Sequence, residues 1–386
     1  MPEDERTGTE TIMKADYDHP TVGYNSLTVE SLFPFCVLRL FCVLAAVLAL
    51  SPAEADGGQA RPFGWFAGWI SHPAAAAGEQ VLFRRCFTGE GRTVNGRIEV
   101  VADGAVVVYV NGYNVTTAVP PPQSDRPFGE LRVICYDVTR YLRSDSNVVA
   151  VRCSPAASAD LSLALHGKPL LVPADSSSIT GTTPVAPLLR LVFSGLRVTH
   201  GGRRAAPFSY TTDDTWMCRS AGCRLQEDGM ECVDGRSLGE DWRMADVEIM
   251  KWRNAREEAV VTVGRIVEEA PLHRAVRVGR VHECRLIGAA AGRLTYGCGP
   301  EFCGRLRVTL RGMKSGDVLR VGGDVPGSGG MGYVCSGEAD EQAVMRFTEY
   351  EGVSVTVSCD TGLTPDNVTK VEALSLEDYF HDSWMY

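Results

Sequence analysis

The sequence predicts an all-β protein, a β-sandwich followed by a second one. Three observations carry that expectation. The 386 residues include 40 Gly and 20 Pro, while Val, Thr and Tyr recur in short runs, a composition that disfavours a helical bundle. Strand-like runs follow one another at a spacing of about ten residues, as in antiparallel sandwiches. Turn signals such as Ala102-Asp103-Gly104 and Asn111-Gly112 separate them.

The first 31 residues carry seven Asp/Glu against Arg6 and Lys14 and lack apolar periodicity, so they read as a disordered acidic tail. An apolar segment follows, Leu32–Leu50, whose uninterrupted part is Leu40–Leu50. Arg39 precedes that part and Ser51-Pro52-Ala53-Glu54-Ala55 follows it. A basic residue, a short apolar stretch and an A-x-A exit describe a secretory signal cleaved after Ala55. An uncleaved membrane anchor over residues 32–50 and a buried core helix are the two other readings. Signal or anchor, the bulk of the chain enters the secretory pathway and ends outside the cell or on its surface.

Residues 56–168 form the first predicted sandwich, with strands over Val81–Phe87, Asn95–Val101, Ala105–Asn111, Leu131–Tyr136, Asn147–Cys153 and Leu161–His166. Asn147–Cys153 is nearly all apolar, the pattern of a central strand buried on both faces. Residues 169–187, rich in Pro, Ser and Thr, read as a linker or long loop. Leu188–Val198 reads as a strand and Pro207–Arg256 as irregular, within a joining region over residues 188–259. Residues 260–374 hold the second sandwich, with strands over Val260–Val267, Arg293–Gly297, Arg305–Leu310, Val318–Gly322 and Val353–Cys359. Residues 375–386 read as a tail.

Eleven cysteines follow the apolar segment: Cys86, Cys135, Cys153, Cys218, Cys223, Cys232, Cys284, Cys298, Cys303, Cys335 and Cys359. That density suits an oxidising compartment, and the odd number leaves one thiol over. Cys218/Cys223 and Cys298/Cys303 are each close enough in sequence to close a short loop. Zinc is the competing reading of these pairs, but no C-x-x-C or H-x-x-x-H accompanies them, so no metal site is expected. A structural calcium is left open, and no other cofactor is expected. Asn114-Val115-Thr116 and Asn367-Val368-Thr369 are N-glycosylation sequons in an exported chain.

From Asp56 onward 40 acidic and 35 basic residues nearly balance, and no basic run stands out. Nucleic acid is therefore excluded as a partner. Gly327-Ser328-Gly329-Gly330-Met331-Gly332 satisfies G-x-G-x-x-G, but Tyr333-Val334-Cys335 follows where a dinucleotide site needs a helix. It reads as a hairpin loop.

Several stretches resemble the N-terminal β-domains of bacterial-type α-L-rhamnosidases. Trp69-Ile70-Ser71-His72-Pro73 with Val81–Phe87 resembles their opening strands. Val106–Gly112 (VVVYVNG) resembles their "LYVNG" hairpin. Tyr136-Asp137-Val138-Thr139-Arg140-Tyr141-Leu142, running into Asn147–Val151, is similar to their "YDVTDYLKPGENVIAV" segment. Weaker likenesses continue at Thr212–Trp216, Glu231–Trp242 and Leu294–Asp317.

The resemblance implies a galactose-binding-like jelly roll followed by another β-sandwich. In the family, hydrolysis takes place in an (α/α)₆ barrel after these domains, where two carboxyl groups act across the glycosidic bond. This sequence stops where that barrel would begin. Asp4-Glu5-Arg6-Thr7-Gly8 echoes a barrel motif, yet it precedes the apolar segment, so no catalytic residue is carried over.

Sugar recognition is the chemistry left to such an architecture: aromatic faces meet the C–H side of a pyranose while amide, carboxylate and guanidinium groups read its hydroxyls. The candidates are Trp65, Trp69, Asn111, Tyr113, Asp213, Asp214 and Trp216. Each has a structural alternative, namely core packing for Trp69, a turn for Asn111 and interface packing for Trp216. A glycan on Asn114 would crowd Tyr113. The expected partner is a glycan or glycoprotein, with a separate catalytic subunit as the enzyme-class alternative and a structural surface scaffold as the third. Membrane contact is expected only through residues 32–50.

Overall fold

The computed structural model describes residues 67–102, 104–116, 130–155, 186–199, 204–226, 229–237, 241–245, 250–258, 265–269, 275–323 and 329–379. The acidic tail, the apolar segment with Ala55, Trp65, Leu161–His166 and most of the 169–187 stretch lie outside them.

The described residues are built from strands. The first eight are β1 (Trp69–Ser71), β2 (Glu79–Thr88), β3 (Arg92–Ala102), β4 (Ala105–Val110), β5 (Tyr113–Asn114), β6 (Glu130–Asp137), β7 (Ser146–Ser154) and β8 (Leu189–Thr199). Next come β9 (Arg204–Thr211), β10 (Met217–Leu225), β11 (Glu231–Asp234), β12 (Arg253–Asn254), β13 (Arg256–Glu258) and β14 (Arg265–Glu269). The last are β15 (Ala275–Glu283), β16 (Arg285–Ala290), β17 (Arg293–Arg311), β18 (Val318–Gly322), β19 (Gly330–Val334), β20 (Asp340–Val344), β21 (Tyr350–Cys359) and β22 (Val368–Tyr379).

A small sheet runs β13-β1-β8-β3-β6-β14, with β9 paired to β8. A large sheet runs β15-β22-β17-β21-β18-β19-β11-β10-β2-β7-β4-β5. The small sheet faces the β10-β2-β7-β4 end of the large one. Side chains at alternate positions of both fill the core between them, including Ile70, Phe83, Ile98, Val151, Leu191 and Phe193. β7 lies between β2 and β4 and is buried along its length after Ser146, as its apolar run predicts.

β2 is buried from Gln80 to Arg84 because its two faces serve two cores. Val81 and Phe83 enter the first, and Leu82 enters the second, with Leu306, Leu319, Tyr333 and Val357. The side chains that share Leu82's face are polar and still buried. Arg152 Nε donates to Gln80 Oε1 at 3.0 Å, and Gln80 Nε2 donates to Glu231 Oε1 at 2.8 Å. Glu231 Oε2 accepts from the backbone amides of Arg346 (2.8 Å) and Phe347 (3.1 Å), so one carboxylate ties β2 and β11 to the 346–348 loop. Burial pushes Arg305 down to about 10, against the pull of Glu231 and Glu349.

Several sequence expectations change here. Pro207–Arg256 is not irregular: it contains most of β9 and all of β10–β12. β10 alternates buried and half-buried residues, but Arg219, Gly222 and Arg224 interrupt its apolar pattern. Arg293–Gly297 and Arg305–Leu310 are two halves of one strand, β17, bent by a bulge between Gly297 and Phe302. The first half pairs with β16 and β21, and the second with β20 and β22. β14 pairs in parallel with β6, so residues 265–269 extend the small sheet. Ser375–Tyr379 is strand rather than tail, paired with β15. Gly330 opens β19 opposite Gly322 of β18, in keeping with a hairpin and not a dinucleotide loop.

The cysteine expectations change most. Cys284 pairs with Cys298 across the base of the β16–β17 hairpin, where Arg285 stands opposite Gly297. Cys298 therefore does not pair with Cys303. Cys218 and Cys223 share strand β10 and cannot close a loop, since five residues of extended chain span roughly 16 Å. Cys86, Cys218, Cys223, Cys303, Cys335 and Cys359 carry free thiols. Burial pushes Cys218 and Cys335 up to about 12, so these thiols behave as small apolar core groups. Cys135, Cys153 and Cys232 lie on β6, β7 and β11, outside that disulfide. No group of three or more His, Cys, Asp or Glu is arranged to hold a metal among the described residues.

Candidate functional site

Midway along β3 the dipeptide Asn95-Gly96 breaks the ladder. Asn95 has φ +53°, and the register against β8 shifts between Val94 and Arg97. The bulge makes room for the turn that follows β6. Asp137 accepts the Thr139 amide at 2.9 Å, which starts one turn of 3₁₀ helix over Thr139–Tyr141. Gly96 fastens that turn: its amide donates to Thr139 Oγ1 at 2.9 Å, and its carbonyl accepts the Val138 amide at 2.8 Å.

Between the bulged strand and the turn lies a cavity of about 580 Å³ lined by Arg92, Thr93, Asp137, Thr139, Arg140 and Leu142. Its volume falls within the range of small-molecule sites. Arg140 extends the cavity onto an aromatic surface. Its guanidinium lies 4.6 Å from the Tyr141 ring centroid and donates to the Tyr141 hydroxyl. Tyr113 packs 5.7 Å from Tyr141 with its plane tilted by 31°, and remains 60% exposed. Tyr113 and Asn114 are neighbours on a strand and so point to opposite faces, which directs a glycan on Asn114 away from Tyr113.

Asn111 serves this surface from behind. It is buried at φ +50°. Its Nδ2 donates to the Tyr141 carbonyl (2.8 Å) and to Asn147 Oδ1 (2.9 Å), and its Oδ1 accepts the Val148 amide (2.9 Å). Both its N–H donors and one Oδ1 lone pair are spent on holding the turn, and the side chain is buried, so Asn111 positions Tyr141.

The other candidates are not brought together with it. Trp69 is 4% exposed and points away from the main core, into a smaller cluster with Val101, Leu188 and Val192 on the other face of the small sheet. Trp216 is fully buried in the first core beside Phe87, with Nε1 donating to the Thr211 carbonyl at 3.1 Å; it belongs to the core and not to a domain interface. Asp213 is paired with Arg85 at 2.9 Å, and Asp214 is exposed and outside the cavity's lining. No pyranose can lie on a buried indole, so Trp69 and Trp216 are corrected to core residues. Of the seven candidates, Tyr113 packs on Tyr141, whose ring also meets the lining Arg140. Arg92, Thr93, Asp137, Thr139, Arg140, Tyr141 and Leu142 were missed, although the Asp-Val-Thr turn signal and the mid-strand Asn-Gly mark the spot.

Asn367 is half-buried; its Oδ1 accepts from the Thr364 amide at 3.0 Å, and its Nδ2 donates to the Arg311 carbonyl at 3.2 Å.

No family model and no curated protein matches the sequence. Solved structures do match. The α-L-rhamnosidase of Dictyoglumus thermophilum aligns over 82% of this chain and 36% of its own, with TM-score 0.64 and 17% identity. In fold, the chain resembles part of an α-L-rhamnosidase. The rhamnosidase of Aspergillus terreus covers 83% of this chain and 37% of its own, with TM-score 0.61 and 18% identity. That of Streptomyces avermitilis, solved with L-rhamnose, covers 79% and 29%, with TM-score 0.61 and 17% identity. This chain thus spans about a third of the rhamnosidases it matches. Asp137, Thr139, Arg140 and Leu142, within one of the stretches that resemble the rhamnosidase pattern, line the cavity with Arg92 and Thr93.

Proposed function

We propose that this chain is a non-catalytic carbohydrate-recognition module, exported through its apolar N-terminal segment and acting outside the cell or on its surface. One observation carries the reading: on a rhamnosidase-like sandwich, a polar cavity of about 580 Å³ is lined by Arg92, Asp137, Thr139 and Arg140, and Arg140 meets the Tyr141 ring on which the exposed Tyr113 packs. The tyrosine ring offers a face to sugar C–H groups, and Asp137, Thr139 and the two arginines offer hydrogen bonds to hydroxyls. Adhesion to glycans or glycoproteins is the role that follows.

A second reading is supported by the coverage. Because the chain spans 36% of the Dictyoglumus enzyme, it fits an accessory piece that works with a separate catalytic barrel. A glycan array on the full chain, run beside a rhamnoside hydrolysis assay on the same sample, separates the two. Specific binding without turnover supports the module. Turnover by the chain alone overturns its non-catalytic status, and absence of all glycan binding overturns the recognition reading.

A further inference from the structure

The chemistry of the cavity is lopsided. Arg92 and Arg140 present guanidinium donors, and Asp137 is the one acid among its lining residues. One Asp137 oxygen already accepts the Thr139 amide. Arg92 is exposed and makes no ion pair with any described residue. Arg140, in contrast, is held against the Tyr141 ring, so its donors are placed in advance of any ligand. A neutral hydroxyl both gives and accepts hydrogen bonds, whereas this lining chiefly gives them. An acceptor-only group with negative charge satisfies it better, and the planar fork of a guanidinium matches a carboxylate through two parallel bonds.

We infer that the cavity recognises an acidic sugar, with Arg92 and Arg140 receiving its carboxylate and Asp137 accepting from a ring hydroxyl. This rests on the recognition reading above and names its ligand class. Arg92 and the bulge lie on β3 and Arg140 on the turn that follows β6, so the two arginines meet only in the folded chain.

The test is calorimetric titration of the full chain with oligogalacturonate and oligoglucuronate, each beside the same oligosaccharide after reduction of its carboxyl groups to primary alcohols. Removal of the carboxylate is expected to weaken binding about tenfold or more, the loss typical of a charge-assisted hydrogen-bonded pair. Arg92→Met is expected to weaken binding of the acidic forms by a similar factor and that of the reduced forms clearly less, with Arg92→Lys intermediate. Equal binding of acidic and reduced forms overturns the inference while leaving glycan recognition intact. So does an Arg92→Met loss that is the same for both. Preference for a sulfated neutral oligosaccharide over the uronate overturns the assignment of a planar carboxylate. Absence of binding to any glycan overturns both this inference and the recognition reading.

Discussion

Leu142 occupies the space that a side chain on Gly96 would need: its Cδ1 stands 2.5 Å from the place of a Cβ on that glycine. The cavity therefore depends on a hydrogen atom at position 96. Gly96→Ala is expected to drive Leu142 into the cavity and to lower glycan affinity, with an overpacking cost of about 1–3 kcal/mol. The double change Gly96→Ala with Leu142→Ala should recover part of the affinity. Titration of the three proteins, with melting temperatures alongside, checks this. Unchanged affinity in the single variant would show that ligand does not enter there.

Exposed Tyr113 and buried Trp216 should behave in opposite ways. Tyr113→Ala is expected to leave the melting temperature nearly unchanged and to weaken glycan binding by about 1 kcal/mol, the scale of an aromatic contact. Trp216→Ala is expected to cost about 3–5 kcal/mol of stability, because it empties the core beside Phe87. Thermal denaturation and binding, measured on both, separate the roles.

Glu231 has no exposure at all, and Gln80 stands between it and Arg152. Glu231→Ala strips the acceptor from Gln80 and from two loop amides and removes one of the negative charges acting on Arg305. A loss of about 3–5 kcal/mol is expected, read as a lowered urea midpoint. A loss near zero would show that the junction is held by its apolar contacts alone.

The Cys284–Cys298 bridge closes a short hairpin with a sequence separation of 14. Its removal by Cys284→Ala with Cys298→Ala is expected to lower stability by about 3 kcal/mol, the chain-entropy value for a loop of this length. Reducing agent should lower the melting temperature of the native chain and leave that of the double variant unchanged.

Acid should weaken the β17–β22 pairing. The Arg307 guanidinium, at 2.5 Å, holds the Glu372 carboxyl below the usual carboxylate range, and Lys370 at 2.7 Å adds to it. A depressed folded value means the unfolded chain takes up its proton first. The contribution is thus present above the ordinary value of 4.5 and is lost as pH falls below it toward the folded value. Glu372→Gln should flatten the stability profile over that acid range, which denaturant titrations at stepped pH will read.

Strand content in this protein is determined locally wherever one face is apolar and the other polar, or where a run such as Asn147–Cys153 is nearly all apolar. β2, β4, β7 and β8 were legible for that reason, and so was the Asn111-Gly112 turn. β9 and β10 were not, because β9 carries Pro207 and buries no residue, and Arg219, Gly222 and Arg224 interrupt the apolar positions of β10. Gln80, Arg152 and Glu231 come together across 151 positions, and nothing local announces a buried carboxylate.

The binding surface divides the same way. The sequence by itself determined an all-β chain, the rhamnosidase-like motifs and the place of Tyr113 beside the Asn111-Gly112 turn. Only the tertiary structure decided which tryptophans are core, which cysteines meet, and that a bulge at Asn95-Gly96 faces the Asp137–Leu142 turn. Alternation along a strand tells that Trp69 and Ile70 point to opposite faces; it does not tell what covers each face. That depends on packing between segments far apart in the chain, and the same packing sets the cavity, its charge and its reach to Tyr113.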